Sequence, residues 1–251
     1  MVKLTSRQIA LVAVFAALYY ILSLITPYVP AIGIPEITIS LEALMASVFG
    51  ILMGPYLGCL TALTGASVAW VLPPSGMNPF GVAFILAPAL NALVTGFIYH
   101  KKWKYGFITL SALIVAFLLL PPSQPLTEYG YVGGLVVWDK IIALLLIIPV
   151  VKFAKRLSAS QKMLPFLFFL LGFIGNQADS MWGSVAFAVP VVYNGIYQLP
   201  LEAVRGLFIV SPLIYPAIRI IQAIIVAIIV IPLLSRLKKS GWTWHKETII
   251  D

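Results

Sequence analysis

The sequence predicts an all-α integral membrane protein: a polytopic helical bundle of about six to eight transmembrane helices, with N- and C-termini cytoplasmic. Three observations predict it. Of the 251 residues, 61% are hydrophobic and only 10% are charged, with a mean hydropathy of +1.05, far too little charge to cover a soluble surface. The apolar residues fall into runs of helix-spanning length rather than the short alternating segments of a barrel. Third, the basic residues cluster in connections that can share one side of a bilayer. Residues 1–251 are expected to form a single transmembrane domain.

Eight apolar segments stand out, at about 7–26, 38–53, 55–72, 80–99, 105–120, 134–152, 164–189 and 205–235. The first follows Lys3 and Arg7. It is too long for a signal-peptide core and lacks a convincing A-x-A site, so it is expected to be the first span. The second, third and fifth are short for a span of roughly 20 residues and are expected to be tilted, buried or partly re-entrant. Gly54-Pro55 separates the second from the third, with proline at a first helical position. With eight segments and the N-terminus inside, the cytoplasmic side receives every one of the 16 basic residues except Lys140, Arg205 and Arg219. Fusing 38–72 into one span would set the clusters at 100–104 and 152–162 against the N-terminus, which the positive-inside rule rejects. Of the acids, only Glu247 and Asp251 fall on the cytoplasmic side.

The net charge of +8 is read as this loop bias, so no nucleic-acid partner is expected. The single cysteine, Cys59, allows no internal disulfide. His100 and His245 have no cysteine or acid cluster nearby, so no metal is expected, and no cofactor. Within the spans no Ser–His or Cys–His pairing suggests nucleophilic catalysis. No G-x-x-x-x-G-K-[ST] occurs and the loops are short. The chain is expected not to be an enzyme, and any ATP-driven work to be powered by other chains.

The seventh segment, "GFIGNQADSMWGS" at its centre, carries Asn176, Gln177 and Asp179 where an ionised Asp costs about 2.5–3.5 kcal/mol to insert. Asn176, Asp179 and Trp182 recur on one helical face. The eighth presents Tyr215, Arg219 and Gln222 at i, i+4 and i+7. Reading 205–235 as one run puts Arg219 about 14 residues from its start, a depth from which it can meet Asp179. An Asp179–Arg219 pair joining two helices is one reading. A ligand pocket is the other, because the stripe holds more polar groups than one pair uses, beside the flat Trp182 ring. Trp138 and Asp139, with Lys140, are read near the outer end of segment 6, either as an interface anchor with an ion pair or as part of that pocket. Asn91, roughly mid-membrane in segment 4, reads as an interhelical hydrogen bond or a ligand contact. Small residues recur every fourth place at Ala46, Gly50, Gly54, Gly58, Ala62 and Ala66, which permits close helix packing. Ala13 and Ala17 form a further pair on the first helix.

Four stretches together resemble the substrate-binding S component of energy-coupling factor (ECF) transporters. They are "RQIALVAVFAALYYIL" with its Ala13/Ala17 pair, "ISLEALMASVFGILMGPYLGCLTALTG", "PFGVAFILAPALNALVTGFIY" and "YPAIRIIQAIIVAIIVIPLLSRL". The resemblance is one of texture over much of the chain. It implies a high-affinity binding subunit in the cell membrane for a small vitamin-like ligand taken from outside. It further implies docking through the first-helix small-residue face, Ala13 and Ala17, onto a transmembrane coupling protein driven by two cytoplasmic ATPase subunits. The family usually has fewer spans than eight, and segments 5 and 6 would be the extra pair. The chain begins Met1-Val2 rather than Met-His, so a cobalt or nickel substrate is not expected. Two rival readings are a stand-alone secondary transporter coupled through Asp179, which inverted repeats would support, and a membrane enzyme acting on lipid or isoprenoid substrates, which would commonly need several cytoplasmic acids.

Overall fold

The computed structural model describes residues 5–25, 28–31, 34–212, 214–241 and 248–250, with side chains for all of these except 28–31 and 34–41. Lys3, His245, Lys246, Glu247 and Asp251, all used above, lie outside the described residues, as does the side chain of Glu36.

Helix α1, Ser6–Ile25, opens with a capping box. The Thr5 N–H donates to Gln8 Oε1 and the Gln8 N–H to Thr5 Oγ1, satisfying two of the donors that a helix start leaves free. At 20 residues it is about 30 Å long, one bilayer core. A small antiparallel hairpin follows, β1 (Tyr28–Ala31) with β2 (Ile34–Ser40), Tyr28 opposite Ser40 and Ala31 opposite Ile34. This corrects the purely helical expectation. The segment is too short and too interrupted by proline to read as a helix, and its Ile34, Ile37, Thr38 and Ile39 are β-branched and favour a strand.

A 3-10 turn, Leu41–Leu44, leads into α2, Met45–Val71, which breaks at Gly54. Gly54 has φ 82°, a left-handed conformation that favours glycine, and Pro55 starts the second arm. A Cβ on Gly58 would lie 2.8 Å from the Gly50 backbone, whereas eight residues of straight helix span about 12 Å. The two arms therefore fold sharply back on one another. Helix α3, Leu86–Tyr99, closes over the bend: a Cβ on Gly96 would lie 2.6 Å from Pro55 Cα. The arm 45–53 is only about 13 Å long. The second apolar segment is thus no spanning helix by itself but a strand, a turn and a short helical arm in series.

Helix α4, Trp103–Leu118, precedes the long α5, Leu126–Ser158. α5 begins well before the apolar segment at 134, because Glu128 in its first turn and Lys155 and Arg156 in its last complement the helix dipole. Trp138 and Asp139 consequently sit about 20 Å along α5, not near its end as the sequence reading had it. Helix α6, Leu164–Ala188, is the hub, packing on α3, α8, α5 and α4. The last apolar segment is not one run. It is α7, Leu201–Val210, and α8, Ile214–Lys239, parted at Ser211-Pro212, where proline lacks the helical N–H and disfavours helix in the residue before it. Arg205 clamps α7 onto the turn before α5: it donates to the carbonyl oxygens of Pro122 and Gln124, and its guanidinium lies 3.2 Å from the centre of the Tyr129 ring.

Five helical stretches among the described residues are long and apolar enough to cross a membrane. One of them is the broken α2 with its leading turn. Helix α6 has the length, at 25 residues, but its polar middle is shielded by its neighbours. The architecture is a multi-pass, helical, membrane-type bundle.

Candidate functional site

Every residue of α6 from Leu171 to Met181 is buried. This explains how Asn176, Gln177 and Asp179 persist there: they face protein on all sides, not lipid. Two polar groups grow from this stretch.

The first joins α6 to α2 and α3. Ser47 Oγ donates to Asn91 Oδ1 at 2.6 Å, Thr95 Oγ1 donates to the same oxygen at 3.3 Å, and Asn91 Nδ2 donates to Asn176 Oδ1 at 3.0 Å. All four residues have no exposed surface. Gly175 makes room for them, since a Cβ there would collide with Thr95 Oγ1, Asn91 Oδ1 and Ser47 Oγ. Asn91 therefore sits in an interhelical hydrogen-bond network, as its plainer reading has it.

The second joins α6 to α8, and α5 carries an ion pair of its own. Arg219 Nη2 lies 2.8 Å from Asp179 Oδ1, and Arg219 Nη1 donates to Gln222 Oε1 at 2.9 Å. The break before α8 puts Arg219 about five residues into its helix rather than 14, nearer the end than the sequence reading placed it; its long side chain makes up the difference in depth. On α5, Asp139 and Lys140 are 2% and 4% exposed, with Lys140 Nζ 2.8 Å from Asp139 Oδ1. Trp138, next to this pair on α5, donates to the Pro212 carbonyl just before α8 at 3.2 Å, so this part of α5 runs beside the start of α8. Helices α5 and α8 both pack on α6 and barely on each other.

No family model, curated protein or solved structure matches this chain. What the site can do must be read from its own atoms.

Asp139 Oδ2, Asp179 Oδ2, Asn176 Nδ2 and both polar atoms of Gln177 are buried without a hydrogen-bond partner among the described residues. Such atoms are rare in native interiors, and each costs about 1–3 kcal/mol. Four of these five atoms lie within one turn of α6 and the fifth lies on α5.

From the sequence-predicted set the structure joins Asn91 to Asn176 and, separately, Asp179 to Arg219 and Gln222; Asp139 pairs with its neighbour Lys140. It does not bring in the two indoles. Trp182 Nε1 donates to the Ala83 carbonyl, and Trp138, 39% exposed, donates to the Pro212 carbonyl and ties α5 to the start of α8. Tyr215 is half-buried in the first turn of α8. Ala13 and Ala17 lie on the exposed face of α1. Sequence reading counted Gln177 only as spare polarity and Lys140 only as the partner of a boundary Asp. The signal for Lys140 was there: a lysine inside an apolar run, followed by Ile141 and Ile142. Among the described residues no group of three or more His, Cys, Asp or Glu is placed to hold a metal.

Proposed function

We propose that this chain is the substrate-binding subunit of an ECF-type importer in the cell membrane. It would take up a vitamin or cofactor precursor and be energised by a transmembrane coupling protein and two ATPase subunits. One observation carries the reading: five buried polar atoms on α5 and α6 that have no hydrogen-bond partner among the described residues. A bundle held together by ion pairs alone has no use for them, whereas a ligand-binding bundle needs them. Two features support the coupling half of the reading. The small residues Ala13 and Ala17 lie exposed on α1, where a partner's backbone could approach closely. The sequence also has no phosphate-gripping Gly-rich loop of its own.

In this reading both termini, the α3–α4 turn and the connection from α5 to α6 face the cytoplasm, because that is where the Lys and Arg residues gather. In a Cys59-free variant, a cysteine at position 158 (Ser158→Cys) is then labelled only by reagents that cross the membrane. Labelling from outside by an impermeant reagent would overturn the topology.

The deciding experiment is paired. Mass spectrometry of the purified chain should find a retained small molecule. In vesicles with the coupling protein and ATPases, Ala13→Trp and Ala17→Trp should abolish ATP-dependent uptake while leaving ligand binding intact. Uptake that survives both substitutions removes the docking role from α1. Uptake by the chain alone on an ion gradient favours a secondary transporter working through Asp179.

A further inference from the structure

The outer surface of α6 and α8 carries a groove of about 330 Å³ lined by apolar side chains alone. Phe166 and Phe169 form its α6 wall, Ile224, Ile228 and Ile231 its α8 wall, and the buried Ala227 its floor. The Phe166 ring stacks on Phe169 at 6.1 Å, and Phe169 on Phe173 at 6.4 Å, so the α6 wall is a flat strip of rings. Phe166 is 46% exposed and Ile228 67%. In a membrane bundle such side chains face lipid tails. The groove is separate from the buried polar groups of α6 and does not depend on their role.

One end of the groove is basic. Helices α6 and α8 run antiparallel: Arg219 Nη2 is 2.8 Å from Asp179 Oδ1, and seven residues further on each helix a Cβ on Gly172 would lie 2.9 Å from Val226 Cγ1. Ten residues beyond that, the same register brings Lys162, in the turn before α6, level with Arg236. On α8, Lys238 follows Ile231 by two turns on the same face, and a helical side chain leans toward its helix N-terminus, here back toward the groove. Lys162, Arg236, Lys238 and Lys239 are exposed and make no ion pair among the described residues. Neither 152–162 nor 232–241 contains an Asp or Glu.

We propose that the α6–α8 groove holds an anionic phospholipid, with one acyl chain against the ring strip and the phosphate among Lys162, Arg236 and Lys238. One turn of a partner's helix, about 10 Å across and 5.4 Å tall, fills about 420 Å³, more than the whole groove, whereas a single acyl chain is narrow enough to enter it. The lysine stems lie along apolar surface while their ammonium groups reach the headgroup level. A zwitterionic lipid offers the same tail but sets a cation of its own beside these four.

The test mixes the full chain in detergent with phosphatidylglycerol or phosphatidylcholine of identical acyl chains and counts bound lipid by native mass spectrometry. Phosphatidylglycerol should be retained at least tenfold better. Lys162→Gln and Lys238→Gln should each lower its retention about fivefold, the worth of one basic residue near an anionic membrane surface, and leave phosphatidylcholine unchanged. Ile228→Trp, at an exposed position, fills the groove and should lower retention of both lipids. Glycerol phosphate, a headgroup without chains, should not compete. Equal retention of the two lipids, an undiminished preference in the double lysine variant, unchanged retention in Ile228→Trp, or competition by glycerol phosphate overturns the proposal. A chain that is dimeric until Ile228→Trp makes it monomeric gives the groove to a second copy instead.

Discussion

Two buried polar groups meet on α6, and they differ in one respect that separates structure from function. The group toward α2 and α3 is closed. Ser47 and Thr95 converge on Asn91, Asn91 reaches Asn176, and Gly175 leaves them the space. The group toward α5 and α8 is open. Asp179 and Asp139 each meet one cation and still leave a second carboxylate oxygen without a partner among the described residues. A satisfied network fixes helix positions and asks for nothing more. An unsatisfied one is less stable than an apolar core of the same shape, so its retention points to a partner outside the chain. The residue type does not separate them: Asn176 belongs to both, its oxygen used in the first and its nitrogen left over in the second.

The largest effect that would sharpen this contrast is the loss of one charge. Arg219→Gln leaves Asp179 buried without its cation, which costs about 3–5 kcal/mol and should be read as a large fall in thermal midpoint. Combining it with Asp179→Asn should restore most of that stability, since removing a buried pair together is often neutral, but not ligand retention. A double variant that both unfolds and binds normally would assign the pair to structure. By itself, Asp179→Asn should weaken ligand binding at least tenfold, about 1.4 kcal/mol. If it and Arg219→Gln both bind normally, the open group is not a ligand site.

Next comes overpacking of the closed group. Gly175→Ala drives a methyl into three side-chain oxygens and should cost about 3 kcal/mol. Gly134→Ala, on an exposed stretch of α5 with nothing within 4 Å of the new methyl, is the matching control. It should gain up to about 1 kcal/mol from helix propensity. Equal effects at both sites, measured as thermal midpoints in the same detergent, would break the claim that the α2–α3–α6 junction is tightly closed.

A smaller loss than at Arg219 is expected at Asn91. Asn91→Ala opens the closed group, stranding the Asn176 oxygen, and should cost about 1–3 kcal/mol with ligand affinity nearly unchanged. A larger loss of affinity than of stability would move Asn91 into the binding site and erase the distinction between the two groups.

Much of this was legible in the sequence. Composition fixes the solvent: so little charge cannot cover a soluble surface, so the helical membrane class follows from counting. The break at Gly54-Pro55 follows from backbone chemistry local to two residues. The meeting of Asp179 with Arg219 was foreseeable because two charges inside apolar helices have few other ways to persist. Other features only the tertiary structure decided. Hydropathy sets neither where α5 begins nor that 205–235 divides at Pro212, since an apolar run reads the same across a break, and the depth of Trp138, Asp139 and Arg219 shifted with those ends. The hairpin at 28–40 depends on strand pairing that no single-residue periodicity reveals. Which polar atom finds a partner is set by the third dimension alone: Asn91, Asn176 and Gln177 are chemically alike along the chain, and the packing around α6 gives Asn91 partners on α2, α3 and α6 while the Gln177 amide has none among the described residues.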